Sequence, residues 1–101
     1  MTYPVPIHLG QFKPVAAGDV TDEYIDIAAD LVAGEVIASV VYTVVDTLGD
    51  EVVGAVSAHS ETDARSDFRY SISTAGGYLL QAVFTIDDGQ VITRTAGVWV
   101  I

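Results

Sequence analysis

Two histidines, 14 carboxylates and four cations are the groups in this 101-residue sequence that could carry chemistry. Their spacing supports little of it. His8 and His59 lie far apart, and neither has metal-ligand spacing around it. The stretch "GAVSA" (54–58) lacks the Gly-x-Ser-x-Gly elbow that would expose a nucleophilic serine. With no cysteine, disulfides and thiolate metal sites are excluded. "DVTDEYID" brings Asp19, Asp22, Glu23 and Asp26 close together. Calcium needs about six to eight oxygens, and no EF-hand spacing is present, so this reads as a solvated acidic loop. No catalytic residue, metal ligand or cofactor is therefore assigned, and the chain reads as a non-enzyme.

The elements that would position any site are strands. "PVPIHLGQFKPV" holds three prolines, which remove ladder donors, so residues 1–18 read as an extended arm or an edge strand ahead of a domain spanning 19–101. "EYIDI" alternates as a short strand. "AADLVAGEV" favours one helical turn that Gly34 stops. "VIASVVYTVVD", β-branched and apolar, is the best candidate for a central strand. "VVGAVSA" is a weaker strand, "HSETDARSD" a solvated loop and "FRYSIS" a cleanly alternating strand. About seven short strands, with turn signals between them and no convincing helix, predict an all-β, antiparallel β-sandwich.

The closing stretch "YLLQAVFTIDDGQVITRTAGVWVI" is a hairpin about Asp88-Gly89. A two-residue loop sets Ile86 opposite Val91, Phe84 opposite Thr93, Val83 opposite Arg94 and Tyr78 opposite Trp99. One face then holds Tyr78, Leu80, Phe84, Ile86, Val91 and Trp99. The other holds Leu79, Val83, Ile92, Val98 and Val100, interrupted by Gln81 and Arg94. A sandwich buries one face per sheet, so the second either stays wet or is covered by the folded-back arm or by another chain. Tyr24, Ile37, Val41, Tyr78, Leu80, Phe84 and Trp99 are the expected core. Trp99 with Tyr78 has a second reading as a sugar-stacking platform. Arg94 is expected to snorkel or to pair with a carboxylate such as Asp26, tying two strands together, with an interface ion pair as the alternative.

Charge narrows the partners. A formal net charge of −10, with Lys13, Arg65, Arg69 and Arg94 forming no stripe, repels nucleic acid. It suits solubility or a basic partner. No apolar run approaches the roughly 18 residues of a membrane span, and the N-terminus lacks the pattern of a signal peptide.

"FKPVAAGDVTDEYIDIAADLVAGEVIAS" and "GGYLLQAVFTIDDGQVITRTAGVWV" together resemble small structural proteins of tailed bacteriophages. The resemblance runs through Lys13 and Pro14, Tyr24 and Asp26, Leu31, Gly34, Glu35 and Ile37. It resumes at Gly76, Tyr78, Thr85, Gly89 and Arg94. It covers about residues 12–50 and 74–101, departs at Ala28, where the family often has Trp, and leaves residues 51–73 unmatched. It implies an immunoglobulin-like sandwich carried in a virion and made in the host cytoplasm. The leading expectation is capsid decoration, on the outside of the major capsid lattice. The alternatives are a tail, connector or fibre module, or a host-surface glycan-binding domain. The partners implied are the major capsid protein or other virion subunits, with a homo-oligomer as a further class. Tyr3, Pro4, Pro6, Ile7, Phe12 and Lys13, in the arm, are the candidate docking residues.

Overall fold

Seven strands in two sheets make up the chain in a computed structural model that describes residues 7–101. They are β1 (Ile7–Gln11), β2 (Thr21–Asp26), β3 (Ile37–Asp46), β4 (Val56–Thr62), β5 (Arg65–Tyr70), β6 (Gly76–Ile86) and β7 (Val91–Val100). One sheet runs β1-β7-β6-β3 and the other β2-β5-β4. All pairings are antiparallel except that of β1 with β7, which is parallel. The only helical element among the described residues is a 3-10 turn at Ala28–Asp30, one turn long as Gly34 and the local composition predict.

The β6–β7 hairpin differs from its expected register by one residue. Phe84 pairs with Ile92, Ala82 with Arg94, Leu80 with Ala96 and Tyr78 with Val98. A two-residue type I′ turn needs positive φ at both central positions. Here Gly89 has φ 92°, but Asp88 does not enter that region. The Gly89 N–H donates to the Ile86 carbonyl (2.9 Å) and the Ile86 N–H to the Gln90 carbonyl (2.8 Å). This is the three-residue loop in which a tight turn is followed by one left-handed glycine.

Because side chains alternate with period two, one residue of slip moves every β7 side chain to the other face. Ile92, Val98 and Val100 therefore join Leu80, Phe84 and Ile86 in the core. Trp99, expected inside, lies outside and is 47% exposed. Its ring crosses the backbone of Gly77, its partner in the ladder: a Cβ there would sit 3.4 Å from the indole.

Other expectations are corrected by the same alternation. Val41 and Tyr24 point to solvent, whereas Ile37, Leu80 and Phe84 are buried and Tyr78 packs on the core. The strand expected to be central, β3, is at a sheet edge. Its free side is partly blunted: the Val52 N–H donates to the Val44 carbonyl (2.8 Å), the Asp46 N–H to the Asp50 carbonyl (2.9 Å) and the Ile37 N–H to the Asp63 carbonyl (2.7 Å). The expected loop "HSETDARSD" is mostly strand, the facing ends of β4 and β5 joined at Asp63 (φ 51°). Its polarity reflects strands with one wet face, and β4 is itself an edge. Asp22, Glu23 and Asp26 likewise belong to β2 instead of a loop.

The N-terminal segment is sheet as far as it is described. Beyond β1, the N–H groups of Phe12, Val15 and Ala17 donate to the carbonyls of Gly97, Trp99 and Ile101, each at 3.0 Å. It extends the sheet sideways along β7 and does not fold over a face. Phe12 turns inward against Phe68 (ring centroids 6.0 Å) and Tyr70 (6.4 Å). Residues 7–17 thus run along β7 at the edge of the four-stranded sheet.

Candidate interaction surface

Of the proposed docking residues, Tyr3, Pro4 and Pro6 lie outside the described residues. The backbone of Ile7 pairs in β1. Phe12 is part of the packing, which removes it as a free anchor, and Lys13 is exposed.

The chemistry-bearing side chains meet elsewhere. On β3, β4 and β5, Tyr42, Ser66, Glu61 and His59 form a hydrogen-bonded chain. The Ser66 hydroxyl donates to Glu61 Oε2 (2.9 Å), so Tyr42 Oη, 2.6 Å from Ser66 Oγ, is the donor to it. His59 Nδ1 lies 2.7 Å from the same Glu61 oxygen. Burial pushes the Tyr42 phenol up to about 12. This order cannot activate a nucleophile. A hydrolytic triad needs histidine between serine and acid, whereas here the acid lies between serine and histidine. Ser66 is also fully buried. The chain of hydrogen bonds seals polar groups beneath the sheet edge.

Arg94 is the largest departure from an apolar interior. It lies on the inner face of β7, opposite Ala82, and is 5% exposed. Nη2 donates to Asp30 Oδ2 in the 3-10 turn, and Nη1 to the Thr93 carbonyl at 3.0 Å. The partner expected from sequence, Asp26, instead caps that turn by accepting from the Ala28 N–H (2.8 Å). The carboxylate that pairs with Arg94 lies four residues further on and links β7 to the turn instead of to a second strand.

The outer face of the three-stranded sheet is a lattice of charges. Arg69 Nε donates to Asp22 (2.8 Å), Arg65 Nη2 donates to Asp67 (2.8 Å), and the Arg65 guanidinium lies 3.9 Å from the Tyr24 ring centre. The hydrogen bond from Arg69 holds the Asp22 carboxyl below its ordinary value, and Asp67 raises Arg65 in turn. At one end of the sandwich the neighbouring carboxyls of Glu35 and Asp88 perturb each other, raising that of Glu35 and lowering that of Asp88. Among the described residues no three histidines or carboxylates converge as metal ligands.

The outer face of the four-stranded sheet is different. Its rows across β3, β6 and β7 include Val41–Val83–Thr93, Thr43–Gln81–Thr95 and Val45–Leu79–Gly97. Val41 is 62% exposed and Leu79 40%. Beside Trp99 runs an open groove of about 290 Å³ that Gln11, Thr47 and Leu79 help to line. Sequence reasoning expected a second hairpin face with Leu79 and Val83 on it, but the one-residue register replaces Ile92, Val98 and Val100 there by Val91 and Trp99. The cue was there, in a loop where only glycine needs a left-handed backbone.

Compared with protein-family models and with curated proteins, the chain matches none.

Proposed function

We propose that this chain is a non-enzymatic, immunoglobulin-like structural module of a tailed-phage virion, and that it decorates the head surface by binding the major capsid lattice. The fold part of this reading is supported by strand order. A β2-β5-β4 sheet faces β7-β6-β3, with the first strand added parallel to the last. It is further supported by Tyr78, whose hydroxyl at the start of β6 donates to the Thr74 carbonyl at 2.7 Å. A tyrosine bonding back to the chain at that corner is a hallmark of immunoglobulin-like sandwiches.

The observation that carries the functional part is the segregation of surface charge. The carboxylates populate the three-stranded face, the ends of the sandwich and, with Glu51 and Asp46, the rim of the four-stranded face, while the outward-facing residues of β3, β6 and β7 carry no acid, lysine or arginine. Together with polar clusters that activate nothing, this is a surface organised for contact. The acidic regions would meet basic groups of the lattice. Cosedimentation with heads and with tails, separated from the phage that encodes the chain, tests the proposal. Saturable binding to heads that weakens with salt is expected, because exposed charge pairs are screened. Binding to tails alone would move the function to connector, tube or fibre. Binding to neither would remove the virion reading.

A host-surface glycan module is the second reading, favoured by the half-exposed Trp99 beside its groove. Sugar-dependent quenching of the Trp99 emission would support it over decoration.

A further inference from the structure

The protein carries 14 acids on 101 residues, yet none lies among the outward-facing residues of β3, β6 and β7. Alternation and register assign Val41, Val45, Leu79, Val83, Val91 and Trp99 to that face, interspersed with Ser, Thr, Gln and Gly. Neither lysine nor arginine is present there. At the flank, where β1 joins, His8 Nδ1 reaches Thr95 Oγ1 (3.0 Å) and the Gln11 side chain lies across Gly97. Folding alone does not require this neutrality. A sheet's outer face is ordinarily polar when it meets water, and the other sheet of this molecule follows that rule with Asp22, Asp26, Arg65, Asp67 and Arg69.

We infer that the uncharged face of the four-stranded sheet is a homodimer interface, packed against the same face of a second copy. Charge selects that occupant. In a two-fold interface each residue near the axis confronts its own image or a near neighbour, so any carboxylate there meets another carboxylate. A chain of net charge −10 can self-associate through a broad face only where acids are kept to the rim, as they are here: the nearest carboxylates are Glu51, beside Val45 at the β3 edge, and Asp46, at the groove by Trp99. A basic partner would instead favour acids in its contact, which the remaining surface offers.

Size agrees. Four strands at about 4.8 Å spacing and roughly 30 Å of length present about 600 Å². Specific interfaces bury about 600–1,000 Å² per partner, so the face sits at the lower end and the dimer is a weak, concentration-dependent one. Trp99 and Leu79 supply the large apolar contacts near one end, and Val41 near the outer strand. Edge pairing through β3 is disfavoured because a register shift between Ile37 and Ser39 interrupts one end of that edge and residues 50–52 cover the other.

The inference is independent of the virion reading, since it is tested without any virion component. Sedimentation equilibrium of the full chain, from low micromolar to about millimolar concentration, should show the mass rise from 10.7 kDa towards twice that value. The emission of the single tryptophan should shift to the blue over the same range as water leaves the indole. Val41→Asp and Leu79→Glu, each placing like charges on the face, should lower the association constant at least tenfold. Val53→Asp, at a position 84% exposed and outside this face, should leave it unchanged. Circular dichroism melts establish that each variant folds. A protein that stays monomeric at millimolar concentration with unshifted emission overturns the inference. So does a dimer indifferent to both face substitutions, and so does a blue shift obtained only on adding heads, which would assign the face to a lattice subunit.

Discussion

Arg94 and Asp30 close one end of the sandwich with a charge pair that is buried on one side only: the arginine side chain is 6% exposed and the aspartate 45%. The asymmetry makes the two halves unequal. Asp30→Ala leaves a guanidinium in the interior with only the Thr93 carbonyl for company, and should cost about 2–3 kcal/mol. Arg94→Met leaves a carboxylate that can rehydrate, and should cost less. Urea denaturation of the two variants compares them directly. An equal or reversed ranking would show that the pair is effectively solvated.

Tyr42 and Tyr70 should ionise only at raised pH. Burial raises both phenols, Tyr42 to about 12, and Glu23 adds to the shift at Tyr70. A phenol whose folded value lies above its unfolded value of about 10 stabilises the fold fully below that pH. The contribution is then lost as pH rises toward 12. Their tyrosinate absorbance should therefore develop late, accompanied by unfolding. Tyr42→Phe should reduce the alkaline loss of stability.

Tyr70 poses a separate question. Its hydroxyl is buried with no hydrogen-bond partner, which is costly in a low-dielectric interior. Tyr70→Phe should be neutral or raise the melting temperature, by up to about 1 kcal/mol of stability. A clear loss would mean that the hydroxyl has a partner, such as bound water.

The hairpin register can be read from three substitutions. Phe84 is fully buried, and Phe84→Ala should cost about 3–5 kcal/mol. Trp99→Ala, larger in volume but half exposed, should cost less than Phe84→Ala. Gly89→Ala forces a side chain into φ 92° and should cost about 1 kcal/mol. If Trp99→Ala proves the most damaging of the three, the ladder is slipped back to the two-residue loop.

Removing residues 1–12 should destabilise the domain, because β1 pairs with β7 and Phe12 packs on Phe68 and Tyr70. Phe12→Ala alone should cost about 2 kcal/mol, the burial of one partly exposed aromatic ring. Thermal melts of both measure it. An unchanged melting temperature would restore the picture of a separable docking arm.

The two-sheet architecture was legible in the sequence because strand patterning and turn residues are local signals. β2, the short turn after it, β3, β6 and β7 stand close to where alternation and glycine placed them. What local signals do not encode is which edge a strand occupies or which turn closes a hairpin. Asp-Gly fits both a two-residue and a three-residue loop, and choosing the first inverted the faces of Trp99 and of β7 as a whole. Val41 misled for a related reason: β-branched residues on both faces of β3 suggest a buried centre, yet one face is open. The β4–β5 hairpin was hidden by polar residues that serve its solvent side. Arg94 pairs with a carboxylate, one of the outcomes expected of it, and which carboxylate depends on how a turn folds over the core.

The central claim, that the chain is a structural part of a virion, is tested most directly by quantitative mass spectrometry of purified particles from the encoding phage, before and after heads are separated from tails. The account predicts that peptides of this chain copurify with the heads at a fixed ratio to the major capsid subunit. Their absence from intact particles, with the protein abundant in the infected cell, would contradict it.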